Sequence, residues 1–219
     1  MSKGSRMGVE VAMASGELAL SSAERSPAAE PALVESCRRG DAHAFARLVA
    51  LHEGMVLGLA TRLLGDAEEA RDLAQEVFLQ VYRTLGRFEG RSSLRTWIYR
   101  IVVNQCRNRQ RWWRRRRRAA ERPLDEISAT DEARLVAVSA AESPFDRLAR
   151  EERARRVDSA LRGLSFEHRA VLLLREVEGL SCEEMAATLG LPVGTVKSRL
   201  SRGREGLRRG LVSRGGERP

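Results

Sequence analysis

Cysteine is scarce in this 219-residue chain: Cys37, Cys106 and Cys182 lie far apart, with no C-x-x-C spacing and no Cys/His cluster around any of them. An odd, scattered set argues against a disulfide framework and a zinc site, and leaves all three expected as reduced, buried, small apolar residues. Long apolar runs are missing too. No stretch approaches the ~20 consecutive apolar residues that span a bilayer. Residues 1 to 30 lack the charged-then-apolar pattern and cleavage site of a signal peptide, so a cytoplasmic location without membrane insertion is expected. No segment alternates apolar and polar residues for long enough to argue for a sheet, and no internal repeat is visible, which points to an all-α chain. Enzyme chemistry finds no footing. His43, His52 and His168 are isolated, no Gly-rich phosphate loop occurs, and no Ser/His/Asp or metal-ligand grouping can be assembled. No cofactor, metal or small-molecule substrate is therefore expected. Lysine is almost absent, with Lys3 and Lys197 set against 37 arginines, a bias of the kind a GC-rich genome imposes.

What the chain has is positive charge in two places. Its net charge is +9, and the window from Arg100 to Arg118, with nine arginines and no acid, carries all of it, because the remaining 30 basic and 30 acidic residues cancel. A second excess runs from Thr195 to Pro219, eight basic residues against Glu205 and Glu217. Between the two, Ala119 to Asp146 holds seven acids against Arg122 and Arg134. Two basic patches separated by an acidic segment suit a polyanion gripped at two points, and nucleic acid is the first candidate. The length allows one domain or two small ones.

Residues 1–30, rich in Ser, Ala, Gly and Glu, have the composition of a disordered leader. From Pro31 the pattern turns helical, with a break at Gly40-Asp41 where Asp41 is a plausible N-cap. In "DAEEARDLAQEVFLQVYRTL" (66–85), Ala70, Leu73, Ala74, Val77, Phe78, Val81 and Leu85 recur at three- and four-residue steps, one buried stripe on a helix of about five turns. Its other face shows Glu68, Glu69, Asp72, Gln75, Glu76 and Gln80. The loop "GRFEGRSS" leads into a second long helix starting near Leu94. Residues 119–146, with Pro123 and Pro144, fit a linker. Three helical stretches follow: Phe145 to Leu161, Ser165 to Val177, and Ser181 onward.

The last of these contains "GLSCEEMAATLGLPVGTVKSRLSRGREGLRR" (179–209), a short helix, a glycine-containing turn and a second helix. Ser181 and Glu184 have capping-box spacing, Gly190 should end the first helix, and Pro192 sits where the next can begin. On the second helix Val196, Leu200, Gly203 and Leu207 share one face. Opposite lie Gly194, Ser198, Ser201, Arg202 and Glu205, flanked by Lys197 and Arg199. Small polar residues near a helix N-terminus among basic ones suit a helix laid in a DNA major groove, with Ser and Arg reaching base edges and Lys197, Arg199, Arg208 and Arg209 taking phosphates. An ordinary helical hairpin with a solvated basic face would share these features.

Wound as a helix, "LRTWIYRIVVNQCRNRQRWWRRRRR" places Leu94, Trp97, Ile98 and Ile101 in an apolar stripe. Thr96, Arg100, Asn104, Arg107, Arg111 and Arg114 gather in a sector about 80° wide beside it. A guanidinium row tracks a phosphate backbone, an amide among the arginines can read a base edge, and nearby aromatics can stack on an unpaired base. The competing reading of Trp112, Trp113 and the arginines is a solvated helix end. Trp97 is expected in the core; a binding role is expected for Arg100, Asn104, Arg107 and Arg111, since so many like charges need a partner.

Taken together, these motifs resemble the bacterial sigma-70 family, specifically the compact extracytoplasmic-function (ECF, group IV) sigma factors, over about residues 33 to 210. "DAEEARDLAQEVFLQVY" is similar to that family's region 2.2, "RFEGRSSLRTWIYRIVVNQCRNRQR" to regions 2.3 and 2.4, and "LREVEGLSCEEMAATLGLPVGTVKSRLSRGREGLRR" to region 4. The resemblance implies two small helical domains joined by a flexible acidic linker: region 2 over 31–118, linker over 119–146, region 4 with its helix-turn-helix over 147–212, and a tail over 213–219. The partners it implies are core RNA polymerase, through its β′ clamp helices and β flap, promoter DNA, and an anti-sigma factor of the kind that commonly holds such proteins inactive. Carried over residue by residue, Asp72, Gln75 and Glu76 become polymerase contacts. Phe88, Ser92, Ser93, Arg100, Asn104, Arg107, Asn108 and Arg111 become minus-ten contacts, with a base turned out of the melted duplex. Thr195, Lys197, Ser198, Arg199, Ser201 and Arg202 become minus-thirty-five contacts. The linker would thread the polymerase cleft, its acidity either mimicking a nucleic-acid strand or keeping a spacer soluble. The function implied is promoter recognition, DNA melting and transcription initiation for a stress or envelope-response regulon. A homodimeric helix-turn-helix regulator acting without polymerase explains residues 179–209 but leaves the acidic helix and the Asn104 stripe idle.

Overall fold

The computed structural model describes residues 30–119 and 144–213, and among the described residues every regular element is helical. Most of the expected leader, the body of the expected linker and residues 214–219 lie outside them. The chain divides into two compact units, Met1–Asp125 and Glu126–Pro219.

In the first unit, α1 (Glu30–Arg38), α2 (Ala42–Leu64), α3 (Ala67–Thr84) and α4 (Leu94–Ala119) follow in order. Polar side chains take up the orphan amides at their starts. Asp41 Oδ1 accepts from His43 N at 2.9 Å and Ala44 N at 3.2 Å to open α2, and Asp66 Oδ1 accepts from Glu69 N at 3.1 Å to open α3. Between them, Gly65 turns the chain at φ 78°, the left-handed region that glycine enters without a Cβ penalty.

The stripe Ala70, Leu73, Ala74, Val77, Phe78, Val81 and Leu85 is core in full. It packs against α2, which contributes Leu48, Val56, Leu59 and Leu63, and against α4. The buried face of α4 is wider than the expected stripe: Tyr99, Val102, Val103 and Cys106 are buried beside Leu94, Ile98 and Ile101, and Thr96 is drawn in with them. Trp97, expected in the core, is half-buried. The buried face is wide because α4 packs against both α2 and α3, and it is turned toward Tyr99, Val102 and Cys106, which leaves Trp97 at its edge.

By length and composition α2 could cross a membrane, with a mean hydropathy of 1.3 over its apolar window. A search for uninterrupted apolar runs passes over it because His43, Arg47, His52, Glu53 and Arg62 break the sequence. Its apolar side forms the centre of the bundle. Cys37 and Cys106 are buried as expected, and burial, helped by Asp41, pushes the Cys37 thiol up to about 11. Cys182 is only half-buried, since it opens a helix whose first turn shows Glu183 and Glu184 to solvent.

The second unit holds α5 (Pro144–Arg162), α6 (Phe166–Leu172), α7 (Cys182–Leu189) and α8 (Val193–Ser213). The helix expected to run on to Val177 widens into a π turn over Leu173–Val177. There Glu178 N reaches Leu173 O at 3.1 Å, and Arg175 Nη1 donates to Leu180 O at 2.8 Å, closing the chain back on itself ahead of α7. The capping box forms as read: Glu184 N donates to Ser181 Oγ at 3.1 Å and Ser181 N to Glu184 Oε2 at 2.8 Å. Gly190, at φ 65°, ends α7, and Pro192 precedes α8.

Helix α8 packs on α5, α6 and α7. Val196, Leu200 and Gly203 are buried on that side, while Leu207 is half-buried. Gly203 permits the approach: a Cβ there would stand 3.2 Å from both His168 O and Leu172 Cγ. We predict that Gly203→Ala destabilises this unit by about 1–3 kcal/mol through overpacking. Gly194→Ala, which meets open space, should be neutral or stabilising by up to about 1 kcal/mol. Amide exchange in α6 and α8 distinguishes them, and equal effects would contradict the close-approach role.

Candidate nucleic-acid interface

The loop between α3 and α4 leads directly into the outer face of α4. Leu85–Arg87 makes a single 3-10 turn. Phe88 is buried and packs its ring on Trp97, centroids 5.4 Å apart, so this residue shapes the loop from inside. Ser93 caps α4: its Oγ accepts from Thr96 N at 3.1 Å and lies 2.8 Å from Thr96 Oγ1. Ser92 is half-buried, with its hydroxyl 3.4 Å from Ser93 O. Along α4, Arg100, Asn104, Asn108, Arg111 and Arg114 are exposed, and Arg107 is half-buried. Thr96, expected among them, faces inward. Trp112 is 44% exposed, with the Arg116 guanidinium 4.6 Å above its ring, a cation–π pair within the helix.

The acidic face of α3 separates into two parts. Asp72 and Gln75 point outward. Glu69 and Glu76, two turns apart, are bridged by Arg109 of α4 at 2.5 and 2.7 Å. Burial lowers the Arg109 pKa, but the two carboxylates outweigh it and raise the value above the ordinary one. Gln105 Nε2 to Gln80 Oε1, 2.7 Å, extends the same seam. One of the nine arginines is therefore neutralised within the chain, and Glu76 is shared between α4 and solvent.

In the second unit, α8 presents Lys197, Ser198, Ser201 and Arg202 outward, with Thr195 and Arg199 half-buried beside them. Ser198 Oγ donates to Thr195 O at 2.9 Å, leaving its oxygen free to accept. A shallow groove along the helix is lined by Lys197, Ser201, Arg204 and Arg208. Arg204, which the sequence reading did not single out, is held by Glu176 of the π turn at 2.6 and 3.0 Å. Burial, helped by Arg95, pushes His52 down to about 4, so it is neutral at pH 7.

Sequence reasoning also missed Arg109, although a seven-residue spacing of carboxylates on one helix face is a signal for a bridging cation. It missed the contacts of Glu30 with Leu94 N and of Arg38 with Phe88 O, 64 and 50 residues apart in the chain, which leave no local trace.

Residues 48–119 match the family described as Sigma-70 region 2, and residues 154–207 the family described as Sigma-70, region 4. The chain is similar to the RNA polymerase sigma-H factor of Pseudomonas aeruginosa, 39% identical over 183 residues, 82% of this chain and 92% of that protein. It is also similar to the ECF RNA polymerase sigma factor SigW of Bacillus subtilis, 32% identical over 81% of this chain and 94% of that protein. Among solved structures, CnrH in complex with the cytosolic domain of CnrY is similar with a TM-score of 0.58 and 29% identity, over 84% of this chain and 98% of that one.

The seam between α3 and α4 makes a direct prediction. In a double-mutant cycle of Arg109→Met and Glu76→Gln read by denaturant unfolding, the coupling should be favourable by about 0.5–1 kcal/mol, the scale of a partly exposed ion pair. Additive effects would show that the bridge contributes nothing.

Proposed function

The chain belongs to the sigma-70 family, as an extracytoplasmic-function (ECF) sigma factor, and from that premise we propose how its surfaces divide the work of initiation. It binds core RNA polymerase, recognises a promoter and opens it, for a stress or envelope-response regulon in the cytoplasm, with the RNA chemistry left to the polymerase. The observation that carries this reading is the pairing, in one chain and in order, of an α4 face that sets Asn104 among exposed arginines with an α8 that sets serines among basic residues.

In this reading residues 31–118 act as region 2 and 147–212 as region 4. Asp72, Gln75 and the free side of Glu76 dock on the β′ clamp helices, and region 4 meets the β flap. Arg100, Arg107, Asn108 and Arg111 follow the melted strand while Asn104 reads a base, in a loop whose shape Phe88, Ser92 and Ser93 fix. Turning a base out of the stack costs a few kcal/mol, which the pocket and the basic track must supply together. Thr195, Lys197, Ser198, Arg199, Ser201 and Arg202 face the minus-thirty-five element, with Arg204 on the flanking backbone. An anti-sigma factor is the third contact in this reading, and the similar CnrH, solved in complex with the cytosolic domain of CnrY, supports a protein partner of that kind.

Asn104→Ala should reduce promoter opening about tenfold, the loss of one base contact, with core affinity within about twofold of wild type. Asp72→Lys should do the reverse. Parallel loss of both steps in both variants would refute the division of labour, and specific duplex binding without polymerase would favour a helix-turn-helix regulator. Replacing Arg111 and Arg114 by Gln should reduce the slope of log affinity against log salt by about 1.4–1.8, two phosphate contacts' worth; an unchanged slope removes them from the track.

A further inference from the structure

Helix α1 lies outside every surface assigned above, yet it reaches the minus-ten reading loop twice. Glu30 Oε1 accepts from Leu94 N at 2.9 Å, 64 residues along the chain, at the head of α4. Arg38 Nη2 donates to Phe88 O, and its other terminal nitrogen, 3.5 Å from Glu35 Oε2, is steadied by that carboxylate. The two tethers fall on the first and last positions of the segment from Phe88 to Leu94. The stretch between them is open: Gly90 sits at φ 70°, Glu89, Gly90 and Arg91 are exposed, and Arg91 pairs with Glu89 within the loop. A groove runs between helix and loop, lined by Val34 on one side and Gly86, Gly90 and Ser92 on the other.

We propose that Glu30 and Arg38 are positioning residues for minus-ten recognition, and that α1 is a strap fixing both ends of the reading loop in the shape that receives the unpaired base. The inference rests on the reading of this loop as the minus-ten element. The chemistry fits a strap. An amide at a helix start and a loop carbonyl are backbone groups with no helical or strand partner, and a charged side chain satisfies each with a charge-assisted bond. A carboxylate is also the favoured group at a helix N-terminus, where the dipole is positive. The strap holds the loop through two backbone groups, Leu94 N and Phe88 O, and so uses none of the loop's side chains.

The test uses the full chain with Glu30→Ala, Arg38→Ala, the double variant, and the conservative Glu30→Gln and Arg38→Lys, each of which keeps one hydrogen-bonding group. In the free protein, amide exchange at Leu94 and across 86–93 should speed up about 3- to 10-fold per tether lost, with α3 unchanged. In holoenzyme with core polymerase, open complexes should fall by a similar factor per tether on duplex promoter DNA and also on DNA with a pre-melted minus-ten bubble, because capture rather than melting is impaired. Core affinity should stay within about twofold, and the Gln and Lys variants should recover most of the loss. Wild-type exchange and opening in the double variant would overturn the proposal. So would full rescue by the bubble, or core affinity falling in step with opening, which marks general destabilisation. If the wild-type holoenzyme itself opens no promoter while the exchange result holds, the strap stands and the minus-ten reading fails.

Discussion

Helix α4 carries nine arginines between Arg100 and Arg118 with no acid among them, a pattern that repels itself and is held in one helix by what lies on the other side. Ile98, Tyr99, Val102, Val103 and Cys106 are buried against α2 and α3, and the burial of apolar surface, roughly 25 cal/mol per Å², fixes the rotation of the helix. Once the rotation is fixed, the polar residues have no choice of direction. Arg100, Asn104, Asn108 and Arg111 must face out together, and Arg109, one step round, must face α3. The bridge from Arg109 to Glu69 and Glu76 follows from this placement. It removes one repelling charge from the row and ties the surface read as polymerase-facing to the surface read as DNA-facing through two packed helices.

The second unit solves the same problem with less apolar material. Val196 and Leu200 bury one side of α8, and Gly203 lets the helix lie so close to α6 that backbone and side chain replace a larger anchor. The exposed side is then short residues and cations, with Glu205 among them paired to Arg208 at 2.9 Å. Glu176 draws Arg204 toward the π turn, so the widened turn, at first sight an irregularity, supplies the group that aims a cation of α8. In both units a buried seam sets the phase of a helix, and an intrachain carboxylate trims the charge that the phase exposes.

Much of this was legible from local pattern. The α3 stripe, the caps at Asp41 and Ser181, the stop at Gly190 and the start of α4 at Leu94 are properties of spacing within one or two turns, and they came out as read. What was not legible depends on residues distant in sequence. Thr96 looked like a member of the polar sector, yet Ser93 offers it a hydroxyl partner and the two-sided burial of α4 draws it in. Trp97 looked like core and stops half-way, because the buried face of α4 runs through Tyr99, Val102 and Cys106 and leaves Trp97 at its edge with Phe88's ring against it. Phe88 looked like a contact by position, and its ring packs on Trp97 inside the loop, a partner no local spacing announces. Cys182 looked buried by composition, but a first-turn position left it partly open. The tethers of Glu30 and Arg38 have no periodicity to betray them. Polar residues at the candidate sites were identified by type and face; their partners within the chain emerged only from the packing.

Whether the two basic surfaces act together on one promoter only with polymerase is decided most directly by run-off transcription with purified protein and bacterial core polymerase on a library of randomised promoter DNA, with the protein alone as control. Transcripts should start at fixed positions from templates enriched for two separated sequence elements, with no such enrichment without polymerase. Failure to associate with core polymerase, together with tight sequence-specific binding by the protein alone, would contradict that joint action.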